Sequence, residues 1–244
     1  MLSYDNFEVL HVRKPVNRIK YFLLNASGKN VLDLGSYDET AYQLKSDSDY
    51  WLFSQLEKVS NSLVGIDIAL PSPDLNYKSS KILRMNIFDI KEKLNCDLYD
   101  LITAGEILEH IHNPSSFLQY FKNEFHSKEL LISTPNGLSF GNTLMALIKR
   151  EVQHPDHLHL FTYKIINILC INAGFVQFEI IPYHFFATEL KLKTKNQLKR
   201  FFIIFIEKFI CTVEWFFPLL SMGCLLYTSP SPRDRTRSRM PSSA

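Results

Sequence analysis

Short apolar runs alternate with longer stretches of helical period along most of this chain, which predicts a mostly parallel sheet with helices packed against it. "NVLDLG" (Asn30 to Gly35) reads as a first buried strand ending in a turn, and "SLVGIDI" (Ser62 to Ile68) as a second, ending in an acid. Leu52, Leu56 and Val59 fall on one helical face, so a helix is expected over Tyr42 to Val59. "KILRMNIFDI" holds a third strand that ends near Met85, and "YDLITAGEILEHIHNP" reads as strand, turn and short helix closed by Asn113-Pro114. Phe117 to Phe125 is helical in pattern, "KELLISTPN" is a fifth strand stopped by Pro135 and Asn136, and "VQFEIIPY" is a sixth. Between the last two, "FTYKIINILCINAGF" carries a Thr162 cap at its start and Gly174 at its end, the punctuation of a helix.

The stretch Phe201 to Leu220 approaches the length of a membrane span. Glu207, Lys208 and Glu214 interrupt it, and charges near a bilayer centre are costly. A helix packed on the sheet or lying at a membrane surface is therefore preferred over a spanning one. The N-terminal run has no long apolar segment of the kind a secretory leader needs. Cys96, Cys170, Cys211 and Cys224 are widely spaced, which fits reduced thiols in a cytoplasm.

The 244 residues, 46% of them hydrophobic, suit one α/β domain with a sizeable core. Residues 1–29 read as a helical or loop lead-in and 30–223 as the domain. From Cys224 the text loses periodicity and turns rich in Ser, Pro and Arg, and residues 224–244 resemble translated sequencing-adapter DNA. This tail holds four Arg and one Asp, so without it the formal charge moves from +2 to −1. Lys and Arg are spread along the chain, and no nucleic-acid partner is expected.

Asp67, at the tip of the second strand, is placed either to bind both hydroxyls of a ribose or to cap the next turn. The first loop has Gly35 but no further glycine, with Tyr37 and Glu39 where a dinucleotide-binding loop repeats them. A pyrophosphate presses on such a loop and demands close backbone approach, so NAD and FAD are disfavoured. His110, His154, His157 and His159 are candidate bases for a hydroxyl or amine acceptor. His110 reads equally well as a histidine that orients its loop. "HPDHLH" reads as a loop over an acceptor or as plain loop structure. No metal is assigned, since a metal site needs carboxylates arranged in space and spacing alone shows none.

These segments, in order, resemble class I S-adenosylmethionine-dependent methyltransferases of the UbiE-like or type 11/23 kind, over roughly residues 30–183. "VLDLGS", "VGIDI", "MNIFDI", "YDLITAGEILEHIHNP" and "LLISTPN" are similar to successive motifs of that family. The resemblance implies a Rossmann-like fold with a seven-strand, mostly parallel sheet and helices on both faces, the last, antiparallel strand truncated or replaced after "PLLSMG". It implies S-adenosylmethionine as cofactor. Asp33, Gly35 and Ser36, with Asp38 and Glu39, would surround its methionine part. Asp67 would bind the ribose, and Ile68, Asn86 and Ile87 the adenine. Ala104, Gly105 and Glu106 would form the floor beneath the sulfonium. His110 and His157 are the expected catalytic residues. Tyr37, Tyr50 and Trp51 are candidates to cover the cofactor. The acceptor would be a small molecule, a glycan or a lipid-linked compound, with peripheral membrane contact through 201–220. The alternative is a methyltransferase-like domain that binds a partner without catalysis.

Overall fold

The computed structural model describes residues 9–37, 51–125 and 128–229, and not the side chain of Glu189. Five strands run parallel in the order β4 (Ser80–Arg84), β2 (Ser62–Asp67), β1 (Asn30–Leu34), β5 (Leu101–Gly105) and β6 (Glu129–Pro135). Two more complete one edge: β8 (Gly223–Thr228) lies antiparallel between β6 and β7 (Phe178–Tyr183). The eighth, β3 (Asp74–Tyr77), forms an antiparallel hairpin on β4 at the opposite edge. It is one strand more than the seven expected, and its four residues alternate between polar and apolar without a buried side chain.

The strands are buried on both faces because helices cover both. One core gathers Leu32, Leu34 and Ile132 from the sheet with Phe117 and Phe121 of α4 (Pro114–Glu124) and Ile166 of α6 (Tyr163–Asn172). The other gathers Val31, Leu101 and Leu131 with Phe22 of α1 (Arg18–Ala26) and Phe53 and Leu56 of α2 (Leu52–Val59). α2 matches the C-terminal part of the expected helix, and residues 42–50 lie outside the described ones. α6 has both expected ends: Thr162 accepts from the Ile165 amide and Gly174 takes a positive φ of 85°. Of the remaining helices, α3 (Ile90–Lys93) follows β4, α5 (Phe140–Leu147) follows β6, and α7 (Thr188–Lys193) leads into α8 (Gln197–Phe216).

β8 starts where the tail was expected to begin, and it fills the slot between β6 and β7. Its period of two serves both cores: Cys224 and Leu226 join one, Leu225 and Tyr227 the other. The Tyr227 hydroxyl donates to Glu129 at 2.6 Å. Gly223 has a specific task. It pairs with Tyr183, and any Cβ there would collide with the Tyr183 ring. Residues 230–244 lie outside the described ones.

α8 presents an inverted face. Its acids point inward: Glu214 is buried, accepts from the Phe185 amide at 2.9 Å and meets His184 at 3.1 Å. Glu207 accepts from the Ala187 amide and pairs with Lys191 at 2.9 Å. Its aromatics point outward, with Phe201, Phe202, Phe205, Phe209 and Phe216 all more than half exposed. Among the described residues no helix is long and apolar enough to cross a membrane.

A chain ending at Gly223 should lose its cooperative thermal transition, because two strand edges are left unpaired inside the sheet. Leu225→Ala alone should cost about 2–5 kcal/mol in denaturant unfolding. An unchanged midpoint for both would contradict the role assigned to β8.

Candidate functional site

The tips of β1, β2, β4 and β5 meet at the C-terminal edge of the sheet, where the parallel order reverses on either side of β1. Gly35 turns the chain with a φ of 66°, and the place of a Cβ is taken by Ile107, whose Cδ1 would lie 2.8 Å away. Glycine is favoured there on both counts. The next residues clasp the tip of β2. Tyr37 and Ala69 each donate an amide to the Asp67 carboxylate at 2.9 Å, one to each oxygen. Asp67 therefore caps the turn after β2 and also holds the loop after β1. Beside it Ile68 is 68% exposed, an apolar side chain with an open face.

Asp33 lies one strand away and is fully buried. The register sets it beside Thr103, whose hydroxyl donates to it at 2.6 Å. Burial, opposed by the Thr103 and Ser36 hydroxyls and reinforced by the charge of Asp67, raises the Asp33 pKa to about 7. Ser36 is buried and its hydroxyl donates to the Asp33 carbonyl at 2.7 Å. Asn86 caps a short 3-10 turn, its side-chain oxygen accepting from the Phe88 amide at 3.0 Å, and half-buried Ile87 comes next. One lone pair of the Asn86 oxygen remains.

One expectation is corrected. Trp51 does not cover this cleft. It is 2% exposed, packs against Phe53 and Tyr77, and donates its indole N–H to the Ser36 carbonyl at 3.0 Å. The Trp–Leu–Phe run that opens α2 makes it part of the core. Tyr37 is partly buried, while Asp38, Glu39 and Tyr50 lie outside the described residues.

On the other side of β1, Ala104 is buried at the end of β5, and Glu106 comes after Gly105 with a φ of 58°. A non-glycine residue in that region is strained, and such positions gather at functional sites. Its backbone N–H, which donates to both the carbonyl and the hydroxyl of Ser133, and its side-chain partners hold it there. Tyr183 donates to Glu106 at 3.1 Å, and Arg18 lies 3.5 Å away while donating to Ser133 at 2.9 Å. Burial works against the Arg18 charge, but Glu106, Tyr183, Glu109 and Asp33 outweigh it and keep the guanidinium firmly protonated. Sequence spacing gave no sign of Arg18 or Tyr183. They come from the first helix and the sixth expected strand, and only the sheet order brings them together.

Beyond Glu106 the chain makes a 3-10 turn, Leu108–His110. Glu109 is 1% exposed: one oxygen accepts from Thr134 at 2.9 Å, and the other, Oε1, has no partner among the described residues. Burial first, then the charge of Glu106, pushes its pKa up to about 8. The "HPDHLH" loop folds back onto this turn, with the Leu158 amide donating to the Glu109 carbonyl at 2.9 Å. That brings the His110 and His157 rings to 4.8 Å between centroids. His110 Nδ1 lies 3.1 Å from the Asp156 carbonyl, and the buried His157 Nδ1 has no partner among the described residues. Burial and the neighbouring His110 and His154 lower the His157 pKa. His154 lies at the rim, its ring 5.6 Å from that of His157, and His159 turns away to the His112 carbonyl. Glu109 was legible only as the neighbour of His110; its burial was not.

The fold agrees with that of the proteins to which the chain is similar. Residues 10–179 match the family model described as a methyltransferase domain. No curated protein matches. Among solved structures, a SAM dependent methyltransferase from Aquifex aeolicus aligns with a TM-score of 0.50 at 13% identity, covering 88% of this chain and 90% of that one. One from Archaeoglobus fulgidus aligns with a TM-score of 0.48 at 16% identity, covering 86% and 89%. The small RNA methyltransferase HEN1 aligns with a TM-score of 0.49 at 13% identity, covering 92% of this chain and 27% of that one.

Asp33 yields a test by pH. A carboxyl whose pKa is higher folded than unfolded stabilises the fold while protonated. Its contribution is complete below about pH 4 and is lost as the pH rises through about 7. Asp33→Asn cannot ionise, so its stability relative to wild type should climb from about pH 4 to about pH 7, by roughly 4 kcal/mol at most. A constant offset across that range would contradict a buried, proton-holding Asp33.

Proposed function

The chain belongs to the methyltransferase-domain family, and its methyl donor is S-adenosylmethionine; from that premise we propose how its residues divide the work. The observation that carries the reading is Asp67, its carboxylate fixed at the β2 tip by the Tyr37 and Ala69 amides with an exposed Ile68 beside it. Asp67 binds the two ribose hydroxyls, and Ile68 with Ile87 flanks the adenine, whose amino group meets the Asn86 oxygen. Gly35, Ser36 and Asp33 surround the methionine end, and Ala104, Gly105 and Glu106 form the floor below the sulfur. The donor set suits a cofactor with hydroxyls, an amine and no phosphate. Bound S-adenosylmethionine supplies an electrophilic methyl carbon, so the chain's part is alignment and exclusion of water. His110 and His157 face the acceptor, where the unpartnered His157 Nδ1 can take a proton from a hydroxyl or amine.

Calorimetric titration with S-adenosylmethionine tests this. Wild type should bind, and Asp67→Ala should lose about 10- to 100-fold in affinity, the worth of hydrogen bonds to a charged group. Equal affinities would remove Asp67 from the site.

The acceptor class is read from α8. Its outward aromatic face adjoins exposed Lys193, Lys195, Lys199 and Arg200 at its N-terminal end. Apolar rings beside a basic cluster suit an interfacial helix on an anionic bilayer. The reading is therefore a membrane-surface enzyme acting on a lipid-linked or glycan acceptor at the cytoplasmic side, consistent with four free cysteines. Co-sedimentation with phosphatidylserine vesicles should be strong for wild type and fall at least about fivefold in the triple variant Phe201→Ser, Phe205→Ser, Phe209→Ser. Equal sedimentation would favour a small-molecule acceptor in solution.

A further inference from the structure

We propose that Glu109, His110 and His157 form a site for a divalent transition-metal ion beside the methyl-transfer floor. The ligating atoms of all three lie within 4.8 Å of one another. Two of the atoms are buried without partners, Glu109 Oε1 and His157 Nδ1. A buried polar atom without a partner is costly, and two such atoms in one cluster share a single remedy. The surroundings set the ligands as a metal site does. Thr134 fixes the other Glu109 oxygen at 2.9 Å. The Asp156 carbonyl accepts from His110 Nδ1 at 3.1 Å, which makes Nδ1 the N–H and leaves Nε2 its lone pair. Two imidazoles and one carboxylate favour Zn²⁺, Co²⁺ or Mn²⁺ over Mg²⁺, and three protein ligands leave a coordination position open.

The second cluster of this kind, His184 with Cys211 and Glu214, differs in the decisive respect. Its buried carboxylate already accepts from the Phe185 amide and meets His184, so it fastens α8.

Glu106 lies close enough for its charge to act on Glu109, and on the methyl-transfer reading an ion held here would supply Lewis acidity to an acceptor oxygen and lower its pKa. In that form His157 is a ligand and not the free base. This placement rests on the methyl-transfer reading; ion binding itself does not. Sequence spacing concealed the site because its carboxylate lies on the turn after β5 and its second histidine in a distant loop.

The test uses the full chain, stripped with a chelator and titrated with Co²⁺ alone, monitored by visible absorption and calorimetry. One Co²⁺ per chain with d–d bands is expected, displaced by Zn²⁺ and not by Mg²⁺. Affinity should fall at least about tenfold in His157→Ala and in Glu109→Gln, with His159→Ala as wild type. Metal-free melting curves of each variant separate ligand loss from misfolding. No uptake by wild type, or uptake that both ligand variants retain at full affinity, would overturn the proposal. Titration of the stripped chain with S-adenosylmethionine keeps the two claims apart: failure there with Co²⁺ binding intact sinks the cofactor reading alone.

Discussion

Two amides on one carboxylate organise the working edge of this protein. Asp67 ends β2, and by accepting from Tyr37 and Ala69 it fastens the loop after β1 to the turn after β2. A glycine starts that loop, where the positive φ of Gly35 and the Ile107 side chain against it both disfavour a Cβ. The apparent poverty of glycine is thus resolved by geometry. One glycine makes the turn, and the Asp67 carboxylate holds the Tyr37 amide that follows it. A cofactor without phosphate asks no more of the loop than this.

The opposite half of the sheet serves the same edge from further away. β8 places Gly223 beside Tyr183, the glycine makes room for the ring, and Tyr183 reaches Glu106. Arg18 completes this group from the start of α1. The strained backbone at Glu106 is therefore held by strands and a helix that are remote in sequence, so damage to β8 would be felt at the site as well as in the core. The hollows lined by Phe121, Phe125 and Phe175, and by Ser60, Asn76 and Lys81, open at the other end of the strands and take no part in this chemistry.

Buried strands and their tips were the legible part of the sequence. The runs ending at Gly35, Asp67, Gly105 and Pro135 became strands because apolar residues on both faces leave few other options. The "PLLSMG" turn does lead into the inserted strand. Elements without that signal were missed: β3 is short and exposed, and α5 and α7 have no strong apolar period. The charges of α8 argued against a membrane span, but their inward direction was not legible: Glu207 and Glu214 anchor the helix through backbone amides. Trp51 misled, since an aromatic next to a binding loop reads as a cover until packing assigns it to the core. The Glu109 cluster was illegible because its convergence depends on a loop folding back across the sheet edge.

The central claim is that the Asp67 clasp shapes the place where the ribose sits. A crystal structure of the full chain with S-adenosylhomocysteine decides it. The account predicts the nucleoside between the tips of β1, β2 and β4, both ribose hydroxyls donating to Asp67 while the Tyr37 and Ala69 amides keep their bonds. Density for the ligand elsewhere, or an Asp67 that leaves both amides and points away from the ribose, would contradict it.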